Sequence, residues 1–431
     1  MRNFIKNAAL LDLSRIFAGK NKNKLPYSLH GDGRYADYAK LYLTTVDVCV
    51  KINSCYFIYL YVAISNGTET IMEKLKVGII GATGMVGQRF ILLLSEHPYF
   101  EITALVAGPR SAGKTYAEAT DGRWKMTVPC PEKIKNMTVI SSDDVEAVKS
   151  LVDFVFCAVS LSKDETRALE ETYAKAEIPV VSNNSAHRWT PDVPMVIPEV
   201  NDAHLEVIDA QRKRLGTKRG FIAVKPNCSI QSYVGALAPL RKYGIKEVVV
   251  TTYQAISGAG KTFNEWPEMI DNLIPYIGGE EEKSEKEPLR VFGEVKDGVI
   301  VPATEPVITS QCLRVPVTDG HMAAVFIKFE NTPTKEQILA DWANFSGKPQ
   351  EIGLPSAPAQ FLTYFEEDNR PQTKLDRDIY GGMGVTLGRL RPDCVYDYKF
   401  VGLSHNTLRG AAGGAVLIAE LLYREGYITK A

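Results

Sequence analysis

The sequence lacks the cysteine spacings that mark disulfide-bonded and zinc-binding proteins. Its 431 residues include seven cysteines, an odd number, and none of them forms a CxxC pair or a cluster with histidine. Secreted disulfide frameworks use cysteines in even numbers, and structural zinc sites use closely spaced cysteine pairs. The sequence therefore predicts a protein of a reducing compartment, the cytoplasm, with no bound metal.

An excess of charge of one sign and a long apolar run are also missing. The formal net charge is -1, which gives no sign of a nucleic-acid or membrane-surface partner. The apolar segment Tyr56–Ser65 is too short to span a bilayer. Hydrophobic residues make up 45% and charged residues 23% of the chain, as in ordinary globular proteins, and the length suits two or three domains.

The first 71 residues differ in character from the rest of the chain. Residues 1–30 carry six basic side chains against one acid, Asp12, so an organellar transit peptide is one interpretation. We favour a second interpretation, a natural start at Met72, because a strand typical of dinucleotide-binding domains begins almost immediately afterwards. Residues 1–71 are then an extension that is disordered or absent from the native chain, and mass spectrometry of the N-terminal peptide distinguishes the two.

A glycine-rich turn comes directly after this first strand. Residues 74–80 read as a buried strand, Gly81–Gly87 supplies three glycines, and Val86, Phe90 and Leu93 continue with helical spacing. Strand, glycine turn and helix form the context of a dinucleotide fingerprint, in which a pyrophosphate lies on the helix N-terminus. The spacing is GxxGxxG rather than GxGxxG, so a tight structural turn is the alternative.

The next strand, residues 100–107, lacks the terminal acid that usually binds the ribose of NAD. It runs instead into Arg110, Ser111 and Lys114, whose donors suit a 2′-phosphate and therefore NADP. The octet Gly108–Thr115 also matches GxxxxGK[ST], the phosphate loop of nucleotide triphosphatases. That alternative is disfavoured because Asp121-Gly122 interrupts the expected helix within two turns.

The alternation of strands and helices predicts two domains. From residue 74 to 224 it favours a Rossmann-type doubly wound parallel sheet, and later strands favour an α+β catalytic domain with a mostly antiparallel sheet. We expect an NADP-binding domain at residues 72–226, completed by a C-terminal helix within residues 405–431. Residues 227–404 then form the catalytic and dimerisation domain.

The junction between these domains carries a candidate nucleophile, Cys228. It follows an apolar strand, residues 221–224, and precedes apolar residues spaced as in a helix. A thiol at a helix N-terminus is favoured as the thiolate, although a free cysteine is often a buried structural residue. Among six histidines, His321 stands out because it follows Arg314 by seven residues at a strand end, where an anionic substrate and a proton transfer could be served.

Several segments, in order, resemble those of aspartate-semialdehyde dehydrogenases, and the resemblance covers Met72 to the C-terminus. They are Gly81–Gly87, Pro226–Ser229, Tyr253–Gly258, Glu280–Lys283, Arg314 with Gly320-His321, and Ser404–Ala412, which resembles the archaeal and fungal branch. The resemblance implies NADPH-dependent reduction of L-4-aspartyl phosphate to L-aspartate 4-semialdehyde, in lysine, methionine and threonine biosynthesis, by a homodimer or homotetramer.

The same resemblance assigns roles to individual residues. Cys228 would form a thioacyl intermediate, His321 would act as acid and base and accept the thiol proton, and Gln254 and Asn227 would position the intermediate. Substrate-binding residues would be Arg314 for the α-carboxylate, Glu280 for the α-ammonium, and Lys283 and Arg188 for the phosphate. Cofactor-binding residues would be Gly81, Thr83, Gly84, Met85, Val86, Gly87, Arg110, Ser111, Ser257, Gly258 and Asn406.

Two alternatives stay open at this point. Archaeal malonyl-CoA reductases resemble the same branch. The two activities are distinguished by whether the protein turns over aspartate semialdehyde or malonyl-CoA. The second alternative is a regulatory protein that binds the cofactor without catalysis; in such a protein Cys228 and His321 would have no function.

Overall fold

The structure is a computed structural model that describes residues 73–431. Its first sheet has six strands in the order β3-β2-β1-β4-β5-β6, and all of its pairings are parallel. The strands are β1 (Leu75–Ile80), β2 (Phe100–Ala107), β3 (Val139–Ser141), β4 (Phe154–Cys157), β5 (Val180–Ser182) and β6 (Ile222–Val224). The order reverses between β1 and β4, which opens a crevice at their carboxyl ends. The predicted doubly wound parallel sheet is confirmed.

The second sheet is mixed, with order β10-β7-β11-β14-β13-β12. Its strands are β7 (Ile245–Gln254), β10 (Val307–Arg314), β11 (His321–Phe329), β12 (Leu362–Phe365), β13 (Val385–Pro392) and β14 (Tyr398–Ser404). A separate hairpin consists of β8 (Glu294–Lys296) and β9 (Val299–Val301). The three inner pairings are antiparallel and the two outer ones are parallel, so the expected mostly antiparallel sheet is confirmed.

Helices cover both sheets. The longer ones are α1 (Met85–Leu94), α2 (Lys163–Lys175), α3 (Ile208–Leu215), α4 (Glu280–Val291), α5 (Lys335–Asn344) and α6 (Ala412–Arg424). Short helical turns lie at Tyr116–Ala119, Glu132–Lys135, Val145–Lys149, Asp202–Val207, Ser229–Ser232, Val234–Leu237, Ala238–Tyr243, Ile256–Ala259, Pro267–Met269, Lys348–Glu351, Thr373–Asp376 and Ile379–Gly382. No helix within residues 73–431 combines the length and apolar character needed to cross a bilayer. The expectations about residues 1–71 lie outside the described residues.

The helix expected after Cys228 is broken into three short pieces. A 3₁₀ turn at Ser229–Ser232, an α-turn at Val234–Leu237 and a second 3₁₀ turn at Ala238–Tyr243 follow one another. Tyr233 interrupts the first junction with φ -140°. The predicted burial is correct and the predicted continuous helix is wrong, because apolar spacing reports the buried face and not the continuity of the hydrogen bonds.

Strand register brings three predicted residues to one edge of the second sheet. Gln254 ends β7, Arg314 ends β10, and the two are paired in the parallel register of these strands. His321 begins β11, which runs antiparallel to β7, and pairs with Ser404 at the end of β14. The strand directions alone therefore place an amide, a guanidinium and an imidazole at the same edge.

We predict that Gly87→Ala destabilises the first domain. A Cβ on Gly87 would lie 2.3 Å from the carbonyl oxygen of Gly81, whose own φ of +86° fixes the turn. Such overpacking of backbone costs about 1–3 kcal/mol, measurable by urea unfolding. Gly108→Ala is the control, since nothing lies within 4 Å of a Cβ there. Equal stability of the two variants would contradict the prediction.

Candidate active site

Cys228 lies just beyond β6, half-buried, at the start of the 3₁₀ turn Ser229–Ser232. That turn is too short to supply the dipole expected from the sequence. Burial raises the pKa of the Cys228 thiol and the Glu280 carboxylate raises it further, whereas Lys225, Arg188 and Arg314 lower it. Burial first, and then fixed charges from four chain segments, rather than a helix terminus, therefore set the pKa of this thiol.

The residues on either side of Cys228 belong to a cluster of side-chain amide and carboxylate groups. Asn227 donates from Nδ2 to both carboxylate oxygens of Glu280, at 3.1 and 3.0 Å. Gln254 donates from Nε2 to the same carboxylate at 3.3 Å. Asn227 in turn accepts from the amide of Ser229 at 2.8 Å. The structure thus brings Asn227, Gln254 and Glu280 together, with Cys228 between Asn227 and Ser229.

A second buried carboxylate, Glu287, fixes the backbone before Cys228. It accepts a hydrogen bond from the backbone N–H of Asn227 at 2.6 Å and one from Arg188 Nη1 at 2.9 Å. Arg188 also donates to the carbonyls of Lys225, at 3.0 Å, and Asn183, at 3.3 Å. Arg188 is therefore mainly a framework residue here, although one edge of it lines a cavity.

That cavity has a volume of about 580 Å³ and a cationic wall. Its lining residues are Lys163, Ser185, Arg188, Trp189, Gly278, Gly279, Glu282, Lys283, Lys286 and Glu287. Lys283 also donates to Glu280 at 2.6 Å, which joins the cavity to the cluster around Cys228. Lys163 and Lys286 were not predicted, because a charged run on a helix is indistinguishable from a solvated face in the sequence.

The peptide of Ala255 joins Arg314 to His321. Arg314 donates from Nη1 to the carbonyl of Ala255 at 2.6 Å, and the backbone N–H of Ala255 donates to His321 Nδ1 at 3.1 Å. Because Nδ1 accepts, the neutral imidazole carries its hydrogen on Nε2, a buried atom without a hydrogen-bond partner among residues 73–431. Burial, with the nearby Arg314 charge, lowers the pKa of His321 to about 3. The ring is a neutral hydrogen-bond donor.

Gly258 packs against both of these side chains. A Cβ on it would lie 2.9 Å from Arg314 Nη1 and 3.0 Å from His321 Nε2. Nearby, Asn406 donates to Ser257 Oγ at 2.9 Å and accepts from the Gly320 amide at 2.8 Å. Asn406 thereby ties the turn before His321 to the loop after β7.

A smaller cavity, about 240 Å³, lies in the crevice between β1 and β4. Its lining includes four of the residues expected to bind the cofactor, Gly81, Thr83, Gly84 and Arg110. The first turn of α1, beside this cavity, is formed by Met85, Val86 and Gly87. Ser111 is buried, and its backbone N–H donates to the Gly108 carbonyl at 3.0 Å. The lining residues that the sequence reasoning missed are Ile80, Ala107, Gly108, Ser142, Ala158, Val159, Ser160 and Leu161.

The start of α1 fits a phosphate group. Its N-cap, Gly84, offers no side-chain acceptor, and the first turn holds no acid. By contrast, the N-terminus of α2 is closed by a capping box between Ser162 and Glu165. The backbone N–H groups of α1 that face the crevice are therefore left for a ligand. This terminus and the cavity together fit a dinucleotide.

The phosphate-loop alternative is not favoured by the geometry of Gly108–Thr115. The helix that follows has four residues, and the Thr115 hydroxyl is used to cap it by accepting from the Glu118 amide. The Gly113 amide is also taken, by the Val139 carbonyl at 2.8 Å. A triphosphate cradle needs these groups to be free.

Comparisons with known proteins agree with this arrangement. The family model "semialdehyde dehydrogenase, NAD binding domain" matches residues 76–208, and "semialdehyde dehydrogenase, dimerisation domain" matches residues 237–409. The fold and site thus define a semialdehyde dehydrogenase of two-domain type.

Individual relatives narrow the class. Aspartate-semialdehyde dehydrogenase of Methanothermobacter thermautotrophicus is 47% identical, over 80% of this chain and 98% of that protein. The Schizosaccharomyces pombe protein of the same name is 43% identical, over 81% and 98%. The crystal structure of the Candida albicans protein with NADP superposes with a TM-score of 0.75 at 39% identity, over 83% and 100%. The chain belongs to the aspartate-semialdehyde dehydrogenase family.

We predict that His321 makes folding stability fall as the solution is acidified. Its pKa is about 3 in the folded protein and ordinary, near 6.5, in the unfolded chain. Between these values only the unfolded state binds the proton, so stability is lost as pH drops below about 6.5. His321→Gln should remove roughly 1–2 kcal/mol of the difference in unfolding free energy between pH 7.5 and pH 5. An unchanged difference in urea titrations would contradict this.

Proposed function

We propose that the protein catalyses the NADPH-dependent reductive dephosphorylation of L-4-aspartyl phosphate to L-aspartate 4-semialdehyde, a step toward lysine, methionine and threonine. The observation that carries this is the convergence around Cys228 of groups complementary to that substrate. Glu280 suits an ammonium, Arg314 suits a carboxylate, and the cavity with Lys283 suits a phosphate. No single one of these three features identifies the substrate, but together they match a substrate that carries an ammonium, a carboxylate and a phosphate.

Cys228 is the proposed nucleophile. Its thiolate attacks the acyl carbon, the bond from carbon to the phosphate oxygen breaks, and inorganic phosphate leaves a thioester on the enzyme. Asn227 and Gln254, both anchored to Glu280, position that acyl group. NADPH, when bound, supplies the hydride that reduces the thioester.

His321 then acts through its Nε2–H. A hydrogen bond from it stabilises the negative charge that develops on the carbonyl oxygen, both when the thiolate adds and when the thioester is reduced. Expulsion of the Cys228 thiolate releases the aldehyde. The tautomer fixed by the Ala255 amide supports a donor role, whereas the role of proton acceptor from the thiol, expected from the sequence, gains no support from this hydrogen bond.

Substrate recognition uses the donors that the framework leaves open. Nη1 of Arg314 donates to the Ala255 carbonyl, so Nε and Nη2 are left to make a bidentate contact with the α-carboxylate. Glu280 is the proposed partner of the α-ammonium. Lys283 is the proposed phosphate ligand, with Arg188 at the cavity wall, and we add Lys163 and Lys286 to this group.

The proposed cofactor residues divide into two sets. Gly81–Gly87, with Arg110 and Ser111, serve the pyrophosphate and the 2′-phosphate, because β2 ends without an acid and Arg110 is an exposed cation at the crevice. Ser257, Gly258 and Asn406 serve the nicotinamide end, next to His321.

The domain division is proposed as residues 72–226 with 405–431 for the cofactor, and 227–404 for catalysis and dimerisation. In support, α6 is buried from Ala412 to Leu422 and packs against α1 and β5. A cytoplasmic location is proposed as well, to be tested by cell fractionation.

The reaction is tested by the oxidation of aspartate semialdehyde with NADP, which should require phosphate or arsenate. Cys228→Ala should abolish turnover while leaving NADPH binding intact, since the thiol forms the only covalent bond to substrate. Cys394→Ala, at an exposed cysteine, is the matched control and should be fully active. Reduction of malonyl-CoA without any turnover of aspartate semialdehyde would overturn the proposal.

Oligomerisation is the other part of this proposal, as a homodimer or homotetramer. Exposed apolar side chains, Ile270, Leu273 and Tyr276, lie on a segment that bridges to the end of β10 through Ile274, and Val307 is exposed at the start of that strand. All four residues lie within residues 237–409, the range that matches the dimerisation-domain family model.

We predict that Tyr276→Lys weakens self-association, because it places a charge on the apolar surface. Light scattering across a concentration series measures the mass. Val395→Lys, at a residue exposed on the β13–β14 turn, is the control and should leave the mass unchanged. A monomeric wild type, or equal behaviour of the two variants, would contradict the prediction.

A further inference from the structure

Lys125 lies between β2 and β3 of the first sheet, and its side chain reaches the loop that follows β7 of the second sheet. Its Nζ donates to the carbonyl of Gly260 at 2.8 Å and to the carboxylate of Glu265, at 2.8 Å to Oε1 and 3.0 Å to Oε2. The hydrogen bond from Lys125 is the main cause that lowers the pKa of the Glu265 carboxyl. We call these contacts of Lys125 with Gly260 and Glu265 the Lys125 bridge.

The backbone that carries Lys125 is fixed by Gln88, a fully buried residue of α1. Gln88 Oε1 accepts from the backbone N–H of Lys125 at 2.8 Å, and Gln88 Nε2 donates to the carbonyls of Arg123, at 2.9 Å, and Thr83, at 3.1 Å. Thr83 belongs to the glycine turn Gly81–Gly87. One buried amide, with both of its donor hydrogens used, therefore connects that turn to the near end of the Lys125 bridge.

The far end of the bridge holds residues 257–265, the loop that carries the proposed nicotinamide contacts Ser257 and Gly258. The backbone N–H of Gly260 donates to the Ser257 carbonyl at 2.9 Å. Glu265 accepts from the backbone N–H of Thr262 at 2.9 Å and from its hydroxyl at 3.1 Å. Because the two acceptors of Lys125 are themselves bonded within this loop, the bridge fixes the loop as a unit.

A second contact near this point is too long to do the same. Arg89, next to Gln88 on α1, has its Nη2 3.9 Å from Oδ2 of Asp319, which is beyond hydrogen-bond distance. Arg89 Nε and Asp319 Oδ1 are buried and lack hydrogen-bond partners among residues 73–431. The Lys125 bridge is therefore the tighter of these two connections.

We propose that Lys125 is a positioning residue for the cofactor, because it holds residues 257–265 in register with the glycine turn Gly81–Gly87. This inference rests on the proposed function. A dinucleotide contacts both regions at once, and a loop that is already held loses less conformational freedom when the nicotinamide half binds. The adenosine half, proposed to lie at Arg110 and Ser111, ends at the glycine turn and gains nothing from the bridge.

The test compares the affinities of NADPH and of adenosine 2′,5′-bisphosphate, the adenosine half alone, by isothermal titration calorimetry. Lys125→Met should weaken NADPH binding about three- to tenfold, the range for a partly exposed charged hydrogen bond, and leave the affinity for the bisphosphate unchanged. Lys125→Arg keeps the charge and the donors and should restore most of the NADPH affinity. An equal loss for both ligands would indicate general damage to the fold and overturn the proposal.

Two further variants isolate the bridge. Glu265→Gln keeps an acceptor for Thr262, so it should cause part of the loss and add nothing to Lys125→Met, since both changes remove the same contact. Lys133→Met, at an exposed lysine paired with Glu101, is the control and should match the wild type. Equal NADPH affinity of the wild type and Lys125→Met would overturn the proposal alone. A wild type that binds neither ligand would overturn the proposed function as well, so the two failures are distinguishable.

Discussion

The buried carboxylate of Glu287 is the contact on which the rest of the site depends. It binds the Asn227 amide at 2.6 Å and Arg188 at 2.9 Å, and so joins α4 to the segments that follow β5 and β6. An unpaired buried carboxylate is costly, which makes the three segments interdependent. The backbone just before Cys228 is consequently held against α4 and Arg188, which is the kind of preorganisation that catalysis requires.

Around this contact, burial and fixed charges together set the pKa of the Cys228 thiol. The strand ends of β7, β10 and β11 deliver Gln254, Arg314 and His321 to one edge, and the Ala255 peptide sets the orientation of the last two. Positive and negative groups oppose one another at Cys228, so its reactivity is a balance rather than the property of a helix terminus. Burial, with the nearby Arg314 charge, keeps His321 neutral and able to donate.

The sequence predicted the elements whose signal is local. The glycine turn Gly81–Gly87 and the alternation of strands and helices were enough to predict the parallel sheet, and strand ends were enough to single out Arg314 and His321. Glu287 could not be predicted, because it belongs to a charged helix whose inward face, shared with Glu280 and Ser284, is decided by tertiary packing. The same holds for Lys225, which is buried beside Gly414 of the C-terminal helix, far away in the sequence.

The most direct measurement is a single turnover in the oxidative direction with phosphate left out. Aspartate semialdehyde and NADP should give a burst of about one NADPH per active site, after which turnover stops because nothing releases the acyl group. The peptide containing Cys228 should then carry an aspartyl thioester, and added phosphate should remove it. Absence of the burst, or an acyl group on any other residue, would contradict a cysteine thioester at the centre of this site.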